Sequence, residues 1–567
     1  MGSPSKINLR LSAALAVFWA ALIASAPLLA AGSTNDPGQI DRRLQERTEE
    51  TLEDREDRAA DPELPEVVPY AQPDGERFIL TGVTVTGATV FDGAALAPFY
   101  EDYMATEVSQ ADLLKIADAV TGFYHDHGYT LSRAYIPPQA ISAGVIELRI
   151  VEGYVEEIVL SGEAGGLDLE AYTKRILEER PLTQSTLERN LLLMHDLAGV
   201  SLNDIALAEA VEGSGVFTLN IATEYDPWTG SVYLDNRGTR AVGPLQLGLS
   251  ATANSLMGTG EAITGAYYTS PNDPNELQYG QVYYLQPIGS DGFQLALTGS
   301  YSATEPDDAF APVNRRGSSV YASLGLNYPL LRMRNESIWL KSRFDLRNTD
   351  DKTDLGIVSD DRLRVARLQV DYFRVDEWSG SNFISVGVAH GLDILGASGA
   401  SHRFASRIDG EVQFTKIFAD LYRSQGLWSD EWVLALRASG QKSSAPLLSS
   451  EEFGLGGARF GRAYEYGELT GDSGLAGSLE LQYQPDFALS FLDDVTVYGF
   501  YDIGAIWDRH QSADLRRDSL ASAGGGVRFR LMEQLNAVVE VAKPLTRDTS
   551  RSDDRSPQVH FSLAWQF

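Results

Sequence analysis

The amino-acid sequence predicts a mostly β protein, in which two small α+β domains and a polar helix precede a transmembrane β-barrel of about 16 antiparallel strands. Three observations predict it: an alternating final strand, an N-terminal export signal, and a long C-terminal region of amphipathic segments separated by turns. The expected order is a signal peptide at 1–31, a polar helix and Pro-rich linker at 32–76, α+β domains at 77–153 and 154–225, and the barrel at 226–567.

The final strand has one apolar face and one face of small or polar residues. Its apolar face consists of Val559, Phe561, Leu563, Trp565 and Phe567. Closed barrels and helices are the structures that cross a bilayer with every backbone polar group paired, and a sequence that stops on such a strand suits the closing strand of an outer-membrane barrel. We therefore expect Phe561, Leu563, Trp565 and Phe567 to form the C-terminal signal for membrane insertion.

The N-terminus has the pattern of an export signal. Lys6 and Arg10 precede an apolar run from Leu11 to Leu29, and the small residues Ala30 and Ala31 follow it. This order predicts a secretory signal peptide that is cleaved near Ala30 or Ala31. A membrane anchor is the alternative, because the run approaches the length that spans a bilayer.

Composition excludes several chemistries. The chain has Cys 0, so it has no disulfide framework, thiolate metal site or cysteine nucleophile. The formal net charge of -33 disfavours nucleic acid as a partner, because the phosphates would be repelled.

A polar helix is predicted between Ile40 and Arg58, with opposite charges three and four residues apart. Only Ile40, Leu44 and Leu52 could form an apolar stripe, so this helix buries no core of its own. It is either a solvated spacer or a plug in a wet, charged cavity. The Pro-rich stretch at 61–69 reads as an extended linker.

The barrel region contains amphipathic strands whose connections are unequal in length. If the first strand runs outward, the external connections include polar stretches at 307–316, 348–361, 391–402, 441–472 and 547–556. The opposite connections are mostly short, such as 254–258 and 287–291. Outer-membrane barrels show this asymmetry.

The region 77–225 has the pattern of two mixed modules. In the first, a strand leads to a helix capped by Ser109 with Asp112 three residues on, and two strands follow Gly128. The second module has a strand at 156–161, helices at about 168–178 and 183–197, and strands near 204–208 and 216–221. The edges of such sheets can accept an extended segment by β-augmentation.

Two long strings in these modules resemble a known family. The first combines Tyr124 to Gln139, YHDHGYTLSRAYIPPQ, with Gly144 to Gly153, GVIELRIVEG, and resembles the first periplasmic POTRA domain of two-partner secretion transporters, the haemolysin and filamentous-adhesin secretion/activation family. The second, Pro181 to Gly199, PLTQSTLERNLLLMHDLAG, resembles the second POTRA domain. The resemblance implies two periplasmic POTRA domains in front of an outer-membrane barrel.

The long Gly-rich segment at about 441–472 holds the main candidate site. Its Arg459 and Arg462 lie in a strongly acidic protein, and a buried arginine needs a carboxylate partner, for which Asp502 is a candidate. In the family that the chain resembles, this loop folds into the barrel, and the arginine of a Val-Arg-Gly-Phe/Tyr motif is linked to a Phe-x-Asp-x-Gly strand motif. Here the strand motif is intact as Phe500, Asp502 and Gly504.

The loop motif itself departs from the family pattern. It reads Gly461-Arg462-Ala463-Tyr464, so the arginine and the aromatic residue remain while the valine and glycine are replaced. The resemblance implies that Arg462, Tyr464, Phe500, Asp502 and Gly504 form a lock between loop and strand, with Arg459 as a possible second loop cation. An external loop with solvated arginines is the alternative.

Other chemical motifs are weak. Gly471 to Gly474 reads GDSG, as around a trypsin-like nucleophile, but a turn is the better interpretation because no suitable histidine precedes it. His125 and His127 would not share a helix face, and the acidic run at 350–361 lacks the pattern of a calcium loop. We expect no enzyme activity, cofactor or metal.

The resemblance implies an outer-membrane transporter that moves a large, unfolded exoprotein, such as a haemolysin or adhesin, to the cell surface and possibly activates it. The POTRA domains would bind this client in the periplasm, and the chain would contact outer-membrane lipid and the barrel-assembly machinery that inserts it. The polar helix would plug the resting pore. The alternatives are an insertase of the same superfamily and, less favoured, a diffusion porin.

Overall fold

A computed structural model shows how these segments fold. It describes residues 36–56, 77–211, 213–306, 313–399, 402–407, 409–429, 431–485, 494–510, 513–532 and 534–567. The predicted signal peptide at 1–31 and the predicted linker at 61–69 lie outside the described residues. No helix within the described residues is long and apolar enough to span a bilayer.

The first described element is helix α1, Pro37–Glu56. The first α+β domain follows it, and its elements are β1 Phe78–Ile79, β2 Gly82–Thr86, α2 Gly93–Leu96, β3 Glu107–Val108, α3 Gln110–Asp126, β4 Arg133–Tyr135 and β5 Val145–Val151. Strand β5 lies between β2, to which it is parallel, and β4, to which it is antiparallel. Strands β1 and β3 form a separate pair.

Helix α3 begins where the sequence predicted. The Ser109 backbone N–H donates to Asp112 Oδ2 at 3.1 Å, and the Asp112 N–H donates to Ser109 Oγ at 3.3 Å, which closes a capping box. Its apolar face packs against the sheet side chains Ile146, Leu148 and Ile150. That face consists of Leu113, Ile116, Ala117, Val120 and Tyr124, all of them buried as the helical spacing indicates.

The second domain repeats this order with longer strands than predicted. Its elements are β6 Tyr154–Gly162, α4 Glu170–Glu178, α5 Gln184–His195, β7 Val200–Glu209 and β8 Val216–Tyr225. Strand β8 is central, parallel to β6 and antiparallel to β7. The two domains meet where Arg133 Nη2 donates to Glu209 Oε1 at 2.9 Å.

The C-terminal region is a closed antiparallel barrel, as predicted, and 16 strands form it within the described residues. These are β9 Trp228–Asp235, β10 Gln246–Asn254, β11 Ala262–Thr269, β12 Gln278–Ile288, β13 Phe293–Thr304, β14 Arg316–Arg332, β15 Glu336–Thr353, β16 Gly356–Val375, β17 Gly380–Gly391, β18 Thr415–Gly426, β19 Trp432–Ser443, β22 Ser473–Tyr483, β23 Asp494–His510, β24 Ala513–Leu531, β25 Leu535–Pro544 and β26 Gln558–Gln566. Strand β26 pairs with β9 and closes the barrel.

One predicted external loop is wrong. The polar stretch 348–361 is not a loop, because β15 and β16 continue through it as a hairpin that turns at Asp354 and Leu355. These strands are 18 and 20 residues long, whereas about 9–11 residues cross a bilayer. The hairpin therefore extends beyond the membrane, where neither face needs the apolar alternation by which strands were recognised.

The second α+β domain is fixed to the periplasmic turns of the barrel. Arg332 binds the Asp196 carboxylate through two hydrogen bonds of 3.0 and 2.8 Å. Arg189, on α5, donates to the backbone carbonyls of Pro329 and Asp291, each at 3.0 Å. These contacts place the domain under the turns that precede β13 and β15.

Candidate functional site

The long connection between β19 and β22, residues 444–472, folds into the barrel lumen. Within it, β20 Phe453–Leu455 pairs with β21 Leu469–Gly471, so the loop is itself a hairpin. Six of its apolar side chains pack in one buried cluster with Tyr498, Phe500 and Leu520 of the barrel wall. Those loop residues are Phe453, Leu455, Phe460, Ala463, Tyr464 and Leu469. We call this connection the lumenal loop.

The structure brings Arg462 and Asp502 together, both buried. Arg462 Nε and Nη2 donate to the two Asp502 carboxylate oxygens at 3.3 and 3.2 Å. The backbone N–H groups of Gly461 and Arg462 donate to the same carboxylate at 3.2 and 3.0 Å. Ser478 and Ser522 add hydroxyl donors at 2.7 and 3.1 Å. Asp502 thus binds both the side chain and the backbone of the lumenal loop.

Two further carboxylates face Arg462. Its Nη1 lies 2.6 Å from Glu480 Oε2 and 3.4 Å from Glu540 Oε2. Arg528 pairs with Glu480 at 2.8 Å, and Arg237 pairs with Glu540 at 2.8 Å. With Asp502 included, three carboxylates and three guanidinium groups balance in charge, which is the condition for retaining such groups in a buried site.

The sequence prediction missed Glu480 and Glu540. Each is a single carboxylate in an otherwise apolar strand segment, between Leu479 and Leu481 in β22 and beside Val539 and Val541 in β25. A carboxylate that the fold buries away from water is costly unless it has a partner. The pattern marks both residues as lumenal carboxylates, but it does not show that their partner is Arg462.

The face of the Phe500 ring lies against the guanidinium group of Arg462. The Arg462 Cζ atom lies 3.7 Å from the centroid of the Phe500 ring, close enough for a cation–π interaction. Glycine in the neighbouring strand makes room for the ring, because a Cβ atom at Gly524 would lie 2.7 Å from Phe500 Cζ and 2.1 Å from the Val541 carbonyl oxygen. Gly524 lies outside the motifs that predicted this site.

The remaining motif residues fit the loop against the wall. Tyr464 is buried, and its hydroxyl donates to the Ala521 carbonyl at 3.2 Å. Gly504 lies under Leu455, where a Cβ atom would come within 2.5 Å of that side chain. Gly461 has φ +83°, a conformation that favours glycine, and it directs its N–H to Asp502.

Arg459 is placed differently from Arg462. Its side chain is exposed, and its charge acts on Glu46 of α1 rather than on Asp502. The structure therefore puts the two loop cations on separate partners. Arg462 faces the wall, and Arg459 faces the helix.

Helix α1 lies inside the barrel. Its Ile40 and Leu44 are buried against inward-facing Tyr268 and Tyr279 of β11 and β12 and against Val242. The outward-facing neighbour Tyr267 is 41 % exposed, which distinguishes the two faces of β11. Helix α1 therefore occupies the lumen, between the wall and the lumenal loop.

Most other contacts of α1 are polar. Asp41 is fully buried and pairs with Arg347 of β15, and it accepts hydrogen bonds from Ser300 at 3.0 Å and Ser319 at 3.2 Å. Gln45 accepts from Arg347 Nη2 at 2.8 Å. Strands β13, β14 and β15 therefore hold the helix through its polar and charged side chains.

The opposite side of α1 is held by a second ion pair. Arg47 pairs with buried Asp235 of β9, and its Cζ atom lies 4.0 Å from the Tyr233 ring centroid. Tyr466 of the lumenal loop donates to Glu46 at 3.4 Å. Helix, loop and wall are thus linked across the lumen.

The predicted C-terminal signal lies on β26. Leu563, Trp565 and Phe567 point outward, with 40 %, 47 % and 60 % exposure. Phe561 has the same parity on the strand, while His560 of the opposite face is buried. These side chains lie on the outer face of the barrel, which is apolar in outer-membrane barrels.

Comparisons with known proteins agree with this architecture. Residues 216–529 match the family model of the haemolysin secretion/activation proteins ShlB/FhaC/HecB, and residues 78–153 match the POTRA domain of ShlB type. The first match covers more than half of the chain. The first α+β domain is called POTRA1 below, and the second, whose sheet has the same arrangement of one parallel and one antiparallel neighbour around a central strand, is called POTRA2.

The sequence identity between this chain and individual relatives is low. The chain is 24% identical over 474 residues to the heme/hemopexin transporter protein HuxB of Haemophilus influenzae strain 86-028NP, which covers 81% of this chain and 82% of that protein. It is 25% identical over 426 residues to the outer membrane transporter CdiB of Dickeya dadantii, covering 72% of each.

Solved structures show the same fold. CdiB from Escherichia coli aligns with a TM-score of 0.73 at 20% identity over 96% of this chain and 100% of that one. CdiB from Acinetobacter baumannii aligns with a TM-score of 0.66 at 14% identity, also over 96% and 100%. The chain belongs to the haemolysin secretion/activation family and is a two-partner secretion transporter of the outer membrane, with its POTRA domains in the periplasm.

Proposed function

We propose that this transporter exports its large exoprotein partner through the barrel lumen in an unfolded state, after the POTRA domains have bound the client's N-terminal segment. The observation that carries this proposal is the lumen itself. A closed barrel contains a polar helix and a hairpin loop, and both contact inward-facing polar side chains that an extended chain could use in their place.

The POTRA sheets supply the surface for client binding. Strands β2 and β4 end the POTRA1 sheet, and β6 and β7 end the POTRA2 sheet. A strand at the end of a sheet can pair with an extended peptide through backbone hydrogen bonds. POTRA2 is held to the barrel rim by Arg332 and Arg189, so a bound segment would be kept close to the pore entrance.

Helix α1 would plug the resting pore, and the contact between Arg462 and Asp502 would set the conformation of the lumenal loop. The support is that α1 is held mainly by ion pairs and hydrogen bonds, which water and a client chain can replace, whereas Arg462 is buried among three carboxylates. Client binding and folding outside the cell would supply the direction of transport. We propose no catalytic step, cofactor or metal.

Assembly of the transporter would use the outward face of β26. Its aromatic and aliphatic side chains contact lipid, and we propose that the barrel-assembly machinery recognises Phe561, Leu563, Trp565 and Phe567. A chain with polar replacements at Trp565 and Phe567 should accumulate unfolded in the periplasm. Normal heat-modifiable migration of that variant would contradict the proposal.

The experiment that tests the function is quantitative proteomics of the medium, cell surface and outer membrane, with and without this chain. Loss of one large exported protein supports the dedicated transporter and identifies its client. Loss of many barrels would instead favour an insertase. Unchanged proteomes, together with altered uptake of small solutes, would favour a porin.

A further inference from the structure

A short segment of the lumenal loop lies between α1 and strands β16, β18 and β19 of the barrel wall. We call it the bridge segment, Ser449 to Glu452. On the α1 side, the Gln39 side chain donates to the Ser449 carbonyl, and Arg42 Nη1 donates to the Glu452 carbonyl at 2.6 Å. The helix is thus held by backbone oxygens of the bridge segment, whose positions depend on what fixes that segment.

A buried ion pair fixes the bridge segment to the wall. Glu451 is 4 % exposed, and its carboxylate lies 2.8 Å from Lys416 Nζ of β18 and 2.5 Å from Arg367 Nη2 of β16. Lys416 is also 4 % exposed. Lysine is almost never buried to this degree without a partner, so Glu451 is matched to this position by charge.

The backbone of Glu451 is bound by the same group of side chains. Its carbonyl oxygen accepts from Lys416 Nζ at 2.8 Å and from Gln441 Nε2 at 3.0 Å. Arg367 also pairs with Asp345 of β15 at 2.5 Å. Glu451 therefore joins the bridge segment to a network of side chains on β15, β16, β18 and β19.

We propose that Glu451 is a positioning residue of the transporter, which holds the bridge segment so that its carbonyl groups retain α1 in the lumen. This inference rests on the proposed role of α1 as the plug. Arg462 then fixes the lumenal loop to β22, β23 and β25. Glu451, next to the Glu452–Arg407 ion pair at 2.9 Å, fixes the helix through the loop to β15, β16, β18 and β19.

The test uses the full-length chain in planar lipid bilayers. Glu451→Gln keeps the size of the side chain but removes the charge that holds Lys416 and Arg367, and breaking a buried pair costs several kcal/mol. We expect the open fraction of the channel to rise about ten-fold, which corresponds to about 1.4 kcal/mol. Glu305→Gln is the matched control, because Glu305 makes an exposed pair with Arg316 and should leave the open fraction unchanged.

A tether separates release of α1 from general damage to the barrel. A Cβ atom at Gly317 of β14 would lie 3.1 Å from Pro37 Cβ, so the two backbones must move apart by a few tenths of an ångström to reach the roughly 3.5–4.5 Å of a disulfide, and the chain has Cys 0. In a Pro37→Cys and Gly317→Cys background, Glu451→Gln should conduct when reduced and close when oxidised. A current that persists after oxidation, or its absence under reduction, would overturn the proposal.

Two further measurements keep the outcomes distinct. If Glu451→Gln fails to show the heat-modifiable migration of a folded barrel, Lys416→Gln breaks the same pair from the wall side and should open the channel equally. Asp41→Asn weakens α1 directly. If Asp41→Asn opens the channel while Glu451→Gln and Lys416→Gln do not, the proposed role of Glu451 is wrong and α1 is still the plug. If none of the three variants opens the channel, α1 is not the plug.

Discussion

The two occupants of the lumen are held by different kinds of contact. Helix α1 buries Ile40 and Leu44 and otherwise depends on polar groups, chiefly Asp41 and Arg47. The lumenal loop adds a continuous apolar cluster to its ion pairs. Burying one large aliphatic side chain contributes about 1.5–3 kcal/mol, so the loop is much harder to remove. These contacts indicate that α1 can leave the lumen during transport, whereas the loop remains in place.

The largest effect on the lumenal loop is expected from reversal of the charge at Asp502. In Asp502→Lys the new ammonium would face Arg462 among groups that are all buried, and the loss of such a pair costs about 3–5 kcal/mol. We expect secretion of the client to fall at least ten-fold while the barrel still assembles. Immunoblots of medium and outer membrane measure both.

The control for this variant lies on the same strand. Asp494 is exposed at the periplasmic start of β23, so Asp494→Lys changes the net charge equally without touching the loop. Unchanged secretion by Asp502→Lys would refute the lock. A fall in both variants would assign the effect to charge rather than to Arg462.

Weakening the contacts of helix α1 should have a smaller effect than Asp502→Lys. Asp41→Asn weakens the pair with Arg347 and two hydroxyl hydrogen bonds, each of which contributes about 1.5–3 kcal/mol when a charge takes part. Because α1 has few apolar contacts, we expect more frequent channel opening and little change in barrel stability. Single-channel recordings and thermal melting measure the two quantities.

Asp350→Asn is the control for the helix. Asp350 lies on β15 near Arg347, but its side chain is 38 % exposed and pairs with Lys352. It should conduct like the unmodified chain. Equal opening of the two variants would show that α1 is not the barrier, and the contrast between helix and loop would lose its functional meaning.

The sequence could predict the elements whose pattern is local. Helix α3 follows from Ser109, Asp112 and the 3.6-residue apolar spacing, and the barrel follows from alternating strands and unequal connections. The hairpin at 348–361 could not be recognised, because residues 348–354 are all polar and show no alternation. Its strands are held by backbone pairing that has no local signature.

The candidate site could be predicted only in part from the sequence, for the same reason. Arg462 and Asp502 follow from the family motifs, but Glu480 and Glu540 approach them only after β22, β23 and β25 have been placed side by side. Glu451 and Lys416 lie 35 residues apart and carry no motif at all. Buried charge networks of this kind depend on the register of the strands, which a single sequence does not give.

POTRA2 is fixed to the barrel, whereas POTRA1 contacts POTRA2. The contact between POTRA2 and the barrel is weaker than the buried contacts in the lumen. Asp196→Ala removes the bidentate partner of Arg332, both partly exposed, so we expect a loss of about 1 kcal/mol in docking. Secretion should fall about two- to five-fold with normal channel conductance. Glu178→Ala is the control, because Glu178 pairs only loosely with Lys174 on α4. A fall in secretion by this control equal to that of Asp196→Ala would contradict a specific docking role.

The smallest effect is expected between the two POTRA domains, and it depends on pH. Burial alone would raise the pKa of Glu209, but hydrogen bonds from the N–H groups of Gly215 and Gly213 and the charge of Arg133 outweigh it and hold that pKa below its ordinary value. Since the pKa is lowered in the folded chain, the contact is fully present above the ordinary carboxyl pKa of about 4.3 and is lost as the pH falls through the lower folded value.

Glu209→Gln should therefore loosen the two domains at neutral pH, whereas the unmodified chain should loosen only in acid. Spin labels on cysteines at exposed Ile141 and Val211 of the full-length chain report the distance distribution between the domains. Glu157→Gln, at an exposed position on β6, is the control. If acid broadens the distribution in the Glu209→Gln variant as much as in the unmodified chain, another group titrates, and the pH dependence of the contact between POTRA1 and POTRA2 does not come from this ion pair.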